Sequence, residues 1–395
     1  MKTDKLEKIG VLCFWLAFVI ELLIVMVDKS AYINPIEGQL FRITFLLCCV
    51  KIATTRYSRD EWLCILFFGA VMFVSYLINE RDETVRIVAF IAACKGVDLK
   101  KMLQLTFWFT FAGIVLLFIL SITGIYGVLT VTANFGRGPF PGIVETRYCF
   151  GMGHPNAFQC MIFMASTLLL CMEADRMKFY HFILLAFVNF LAYRYTDSNT
   201  AFLVMLAVIG GILLLKYSKP LRRWWPVYVA AALFVLIIVF FSVIGSHIGR
   251  ETPFMYELDQ ILNGRFQYAH LIENARVENW KLFALAENTE YFDAGFIRLF
   301  YWYGIIPGAV YVFINLYLIY WSFQKEDYTI VVIVAGYTLF TIMEAHLISV
   351  YILRNYLFLL LGYYWYQPFA AKGQYEGYFW QVKKLLMLEK QGDTV

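Results

Sequence analysis

Apolar runs of bilayer length recur along this chain, and no other feature limits its folding as much. A hydrocarbon core needs about 20 apolar residues as helix, and backbone groups that must pair internally restrict a spanning chain to helices or a closed barrel. The runs Ile9–Asp28, Leu103–Ile125 and Val227–Ile244 meet the length requirement outright. Hydrophobic residues make up 61% of the 395 positions and charged ones 16%, more apolar surface than a soluble core of this size requires. The chain reads as an all-α polytopic integral membrane protein, a single transmembrane domain without a soluble unit long enough to fold alone.

Twelve candidate spans follow: Ile9–Asp28, Leu40–Ala53, Trp62–Ile78, Ile87–Val97, Leu103–Ile125, Ala157–Met172, Phe179–Tyr193, Ala201–Leu215, Val227–Ile244, Ala294–Trp321, Thr329–Met343 and Leu347–Tyr366. The fourth is short enough to be re-entrant or to pack inside the bundle. The first follows "MKTDKLEK" and lacks a small-residue cleavage site, so it reads as a retained anchor. With both termini cytoplasmic, the strongly basic loops fall on one side, "KYSKPLRR" at 216–223 among them, as the positive-inside rule demands. Two long segments, about 126–156 and 245–293, are then expected on the outer face, with residues 367–395 as a cytoplasmic tail. Four of the five histidines, His154, His247, His270 and His346, map outside. No Cys or His cluster has metal-ligand spacing, and there is no P-loop or repeat, so neither a bound metal nor nucleotide-driven chemistry is expected. Nor does a net charge of +4 point to nucleic acid.

Ionisable residues in or beside spans are costly and are functional candidates until a structural partner is named. Glu21 and Arg42 fall at similar depth and are expected to form a salt bridge between the first two spans. Arg298 lies about a turn below Asp293 and reads either as an interfacial snorkelling residue or as part of a site. Arg354, in "HLISVYILRNYLF", lies two turns into apolar sequence near Glu344 and His346. The outer segments add Arg137 in "NFGRGPFPG", Arg147 and His154 in "RYCFGMGHPNAFQC", and Arg265 and His270 in "LNGRFQYAH". Outer loops are normally poor in arginine. Its planar fork of donors suits phosphate oxygens, so the set suggests a lipid-linked phosphate or diphosphate held at the outer leaflet.

"RYCFGMGHPNAF" resembles the R-x-x-x-G-F-x-H-P-N signature of bacterial polysaccharide polymerases of the O-antigen and capsule type, the Wzy family. "LNGRFQYAHLIEN" and "DAGFIRLFYWYGIIPG" are similar to two further stretches of that family. Ser198-Asn199 stands where the family often has Ser-Arg, and "WKLFALAENTEYFD" lacks a glycine usual there. The resemblance implies a GT-C-like, metal-independent glycosyltransferase of the bacterial cytoplasmic membrane that takes no nucleotide sugar. Its donor would be a glycan on undecaprenyl diphosphate and its acceptor a lipid-linked repeat unit, with a chain-length regulator as a further candidate partner.

On that expectation Arg147 and Arg265 bind the diphosphate, with Arg137 and Arg354 as second choices and His270 also in contact with substrate. His154 either removes the acceptor proton, since imidazole titrates near working pH, or merely starts a helix with Pro155. In the rival assignment Asp293 or Glu344 is the base. Asn156 bonds a sugar hydroxyl or holds the turn. Two alternatives remain: an O-antigen-ligase-type transferase, disfavoured because Asp293 stands where a ligase histidine is expected, and a flippase for lipid-linked sugars.

Overall fold

The computed structural model describes residues 2–135 and 144–370. Arg137, and the proposed cytoplasmic tail beyond residue 370, lie outside the described residues. The fold is predominantly helical. In the N-terminal half α1 (Lys2–Lys29), α2 (Glu37–Thr54), α3 (Arg59–Asn79), α4 (Glu83–Ala93) and α5 (Leu99–Ile122) pack together. The central helices are α6 (Pro155–Glu173), α7 (Phe179–Thr196), α8 (Asn199–Tyr217), the short α9 (Lys219–Arg223) and α10 (Trp225–Ile248). Then come α11 (Pro253–Ile261), α12 (Arg265–Leu271), α13 (Gly295–Tyr303), α14 (Ile305–Gln324), α15 (Tyr328–Met343), α16 (Leu357–Tyr364) and α17 (Gln367–Ala370).

Seven of these helices are long and apolar enough to cross a membrane: α1, α3, α5, α6, α8, α10 and α14, with α15 a shorter apolar helix. Phe67, Trp108, Ile183 and Phe240 are each more than half exposed. Bare side chains of this kind need lipid around them. The chain is a multi-pass helical membrane protein. Local chemistry sets several helix starts: a Ser58/Glu61 capping box opens α3, and Asp98 and Asp327 cap α5 and α15.

Sequence expectation and structure part in five places. The first outer segment is not wholly irregular: β1 (Thr130–Asn134) and β2 (Val144–Tyr148) pair antiparallel, Val131 opposite Arg147. The second outer segment is largely folded into α11, α12 and two 3-10 turns.

The tenth span is two helices. Gly304, at φ +95°, separates α13 from α14. Backbone from the outer segment satisfies the broken ladder: Ala284 N–H donates to Tyr303 O (3.2 Å), while Ile305 and Ile306 N–H donate to Lys281 and Leu282 carbonyls (2.9 and 3.0 Å). Irregular backbone at membrane depth is tolerable only with such partners.

The twelfth span is likewise broken, into 3-10 turns at Ala345–Leu347 and Ile352–Arg354 followed by α16. Arginines from elsewhere take its loose carbonyls: Arg298 Nη2 donates to Ala345 O and Ile348 O, and Arg86 Nη2 to Val350 O at 2.7 Å.

Glu21 does not pair with Arg42, which is exposed. Its Oε1 accepts from Thr44 Oγ1 at 2.5 Å and lies 3.9 Å from Arg86 Nη1. The short α4 carries Arg86 into the bundle, packed against α2, α3 and α16, where Phe41 covers the guanidinium at 3.9 Å. Buried charge thus meets buried charge, as low dielectric requires.

Candidate functional site

The C-terminal ends of α1 and α15 and the N-terminal ends of α6 and α13 converge at one end of the bundle, around a cavity of about 500 Å³. Polar side chains form much of its wall. Asp28 and Lys29 come from α1, His154 and Asn156 from the start of α6, and Asp293 and Arg298 from the α13 approach. Glu344, His346 and Arg354 come from the end of α15 and the broken segment after it.

Each is placed by its neighbourhood. The "RYCFGMGHPN" stretch turns back under β1 through Phe150 and Gly151 N–H bonds to Leu129 and Val128 carbonyls. Gly151 takes φ +81°, and a Cβ there would lie 2.9 Å from Leu117 O, so only glycine fits. At Gly295 an added Cβ would lie 2.7 Å from Thr341 O, and that close approach brings Asp293 and Arg298 alongside Glu344. Arg265 is presented by α12. Buried Asp259 accepts the Phe266 N–H at 2.8 Å and the Arg250 Nε–H at 2.7 Å, anchoring the helix start.

Arg265 binds both carboxylates, Glu344 Oε1 at 3.2 Å and Asp293 Oδ2 at 3.4 Å, with Met343 O as a third acceptor. Asn156 Nδ2 donates to the same Glu344 oxygen at 3.0 Å. Burial raises the Glu344 carboxyl to about 7, and the Asp293 charge adds to the rise; Arg265 opposes both. Glu344 is therefore an acid poised near neutrality.

His154 is the N-cap of α6: its Nδ1 accepts the Asn156 N–H at 3.2 Å. The neutral ring then carries its proton on Nε2 and offers a donor rather than a base. Partial burial holds the imidazole below its ordinary range. Asp293 opposes this, and the Arg147, Arg265 and Lys29 charges reinforce it. His346 is lowered well below its usual value by burial and by Lys29 and Arg298, and is neutral.

Cations dominate the rest of the wall. Arg354 pairs with Asp28 and lies over Tyr351 at 4.2 Å, while Lys29 Nζ sits 3.6 Å from the same Asp28 oxygen. Arg298 is fully buried between the rings of Tyr291 and Trp302, at 4.2 and 4.5 Å. Its Nε and Nη1 have no hydrogen-bond partner among the described residues. It is therefore no snorkelling residue. Lys29, Arg298 and Arg354 line the cavity beside Asp28, Asp293 and a Glu344 carboxyl raised to about 7, with Arg265 on two of those carboxylates, so the cavity favours an anion.

Of the residues singled out from sequence, the structure brings together His154, Asn156, Arg265, Asp293, Glu344 and Arg354. Arg147 lies elsewhere: on β2, bound to Glu145 and 3.6 Å from Asp197, in a neighbouring pocket with Tyr148, Tyr193 and Tyr195. Phe135 touches both residues, stacked on Arg147 at 4.2 Å and edge-on to His154 at 5.6 Å. His270 is also apart, with Nδ1 on Ser246 O at 3.1 Å and Nε2 4.0 Å from Glu251. Lys29 and Asp28 were missed because charges at a helix end ordinarily mark a membrane boundary. Among the described residues, no group of three or more His, Cys, Asp or Glu side chains is arranged to hold a metal ion.

No protein-family model matches this chain, and neither a curated protein nor a solved structure does.

Proposed function

We propose that this protein is a polysaccharide polymerase: a membrane glycosyltransferase that moves a growing glycan from undecaprenyl diphosphate onto a lipid-linked repeat unit. One observation carries the reading. A cavity where four helix ends converge holds Lys29, Arg298 and Arg354 together with the Glu344 carboxyl raised to about 7. The "RYCFGMGHPNAF" resemblance supports it, as does the convergence of the α1, α6, α13 and α15 ends on one cavity; the proposed topology has twelve crossings and both termini cytoplasmic. In that orientation the cavity opens to the outer face of a bacterial cytoplasmic membrane.

The chemistry needs a base for the acceptor hydroxyl and positive charge for the leaving diphosphate. As the hydroxyl oxygen bonds to the anomeric carbon, the carbon–oxygen bond to diphosphate breaks and its electron pair stays on the phosphate. Lys29, Arg298 and Arg354 stabilise that charge from fixed positions, which requires no reorganisation at the moment of reaction. The Glu344 carboxylate takes the hydroxyl proton. Arg265 and Asn156 aim it, Asp293 raises its basicity, and His154 donates from Nε2. This differs from assigning Arg147 and Arg265 to the diphosphate. Arg147 lies in the neighbouring pocket, and Arg265 is committed to carboxylates. No nucleotide sugar or metal is required, so a chelator leaves the rate unchanged.

The discontinuous helices at Gly304 and after Met343 favour a second reading, a flippase for the same lipids, because broken helices line many transport sites. Purified protein in proteoliposomes with a polyprenyl-diphosphate-linked repeat unit separates the two. A polymer ladder supports transfer. Redistribution of the lipid between leaflets without a ladder supports transport.

A further inference from the structure

We propose that α11 and α12 lie in the bilayer interface at the cavity end of the bundle, and that this contact holds Arg265 against Glu344. The contact with lipid stands apart from the transfer reaction; only its effect on Arg265 rests on the reading above. Successive residues of an α-helix turn by about 100°, so Phe254, Leu258 and Ile261 fall within about 60° of arc on α11. Phe254 is 69% and Ile261 74% exposed. Met255 and Asp259, on the next face, are buried, and Tyr256, Glu257 and Gln260 complete the circle as exposed residues. The helix thus has one face on the protein, one polar face and one bare apolar stripe, the pattern of a helix lying in a membrane interface. On α12, Tyr268 and Leu271 are more than half exposed, opposite the buried Phe266 and Ala269.

Three observations make the partner lipid. The stripe continues a bare apolar surface: Leu236, Ile237 and Phe240 are exposed along α10, a helix of membrane-crossing length. To the end of that helix α12 is tied closely. Phe266 meets Phe241 edge-on at 5.4 Å, Gln267 Oε1 accepts the Arg250 N–H at 2.9 Å, and His270 Nδ1 lies 3.1 Å from Ser246 O. The stripe is also small. A stable protein interface buries about 800 Å² per partner, far more than Phe254, Leu258 and Ile261 offer. Finally, Glu251, Glu257, Glu273 and Glu278 are exposed along the segment against one exposed lysine, Lys281, so apolar burial makes the contact and attraction to anionic headgroups does not. From the inner face of α11, Asp259 accepts the Phe266 N–H at 2.8 Å and so fixes the first turn of α12, which carries Arg265. Displacing α11 from the membrane therefore loosens the Arg265 contact with Glu344 Oε1.

Full-length protein in nanodiscs of zwitterionic lipid tests both parts. p-Acetylphenylalanine, placed singly at Phe254, Glu257 or Ile261, takes a ketone-reactive nitroxide without touching the eight native cysteines. Electron paramagnetic resonance is expected to show collision with oxygen dominating at 254 and 261, and collision with a water-soluble nickel chelate dominating at 257. Nickel dominating at all three positions means a hydrated loop and overturns the contact. Shielding of 254 and 261 from both agents means that protein covers the stripe, which overturns it as well. In the polymerisation assay, Phe254→Ser combined with Ile261→Ser is expected to move the midpoint of the kcat–pH profile up by about one pH unit, because Arg265 opposes the rise at Glu344. An unmoved midpoint contradicts the hold on Arg265. Oxygen-dominated collision in a protein whose wild type makes no polymer from lipid-linked repeat units would instead sink the polymerase reading and leave the lipid contact standing.

Discussion

Asn156 Nδ2 donates to Glu344 Oε1 at 3.0 Å across 188 positions of sequence, joining the first turn of α6 to the end of α15. The same oxygen accepts from Arg265 Nη2 at 3.2 Å, so the starts of α6 and α12 together fix one carboxylate at the end of α15. That fixation aims its lone pairs, while burial and the Asp293 charge raise its pKa.

Replacing Glu344 by Gln keeps the Asn156 and Arg265 hydrogen bonds available and removes the base. Loss of a general base typically costs 10²–10⁴-fold in rate, so kcat should fall by about that much with little change in KM. Because the Glu344 carboxyl is raised to about 7, wild-type kcat should climb as pH rises through 7 and flatten above it. Rates measured from pH 5.5 to 8.5 check both, and a flat wild-type profile rejects the assignment.

The same shift has a stability sign. The folded pKa lies above the ordinary value of 4.5, so the stability contributed by this group is full below pH 4.5 and is lost as pH rises through about 7. Between pH 5 and 8, Tm should fall more for the wild type than for Glu344→Gln. Thermal melts in one detergent at matched ionic strength measure the difference.

His154 should behave as a cap and donor. Asparagine also caps well, so His154→Asn should fold normally and retain most activity. His154→Leu should lose about 1 kcal/mol from the missing cap and the donor as well. If Asn is as inactive as Leu while both fold, the ring itself is needed for proton transfer.

Arg298 joins a broken segment to α13 by two backbone carbonyls. Arg298→Met leaves those carbonyls buried and unpaired, at about 1–3 kcal/mol each, and should lower Tm markedly. Arg298→Lys keeps the charge with fewer donors and should lie between. A melt series of the three proteins tests the order.

The helical, multi-pass membrane character was legible because hydrophobicity sums over many residues, and most of the cavity's ionisable residues were legible because charged groups beside spans have few structural excuses. What escaped depended on distant partners. Gly304 lies inside an apolar run, and only backbone from Lys281–Ala284 makes a break there affordable. Glu21 found Arg86 rather than Arg42 because the short α4 packs inward. Arg147 looked like the strongest anion ligand in sequence, yet Glu145, two residues away on the same strand, takes its guanidinium. Period-two neighbours on a strand share a face, a signal available only once β2 is recognised.

Polymer length in cells carrying Glu344→Gln or Arg147→Gln, at matched protein levels, tests the central claim most directly. The cavity account predicts loss of the ladder from Glu344→Gln and a retained ladder from Arg147→Gln. A normal ladder from Glu344→Gln would contradict it.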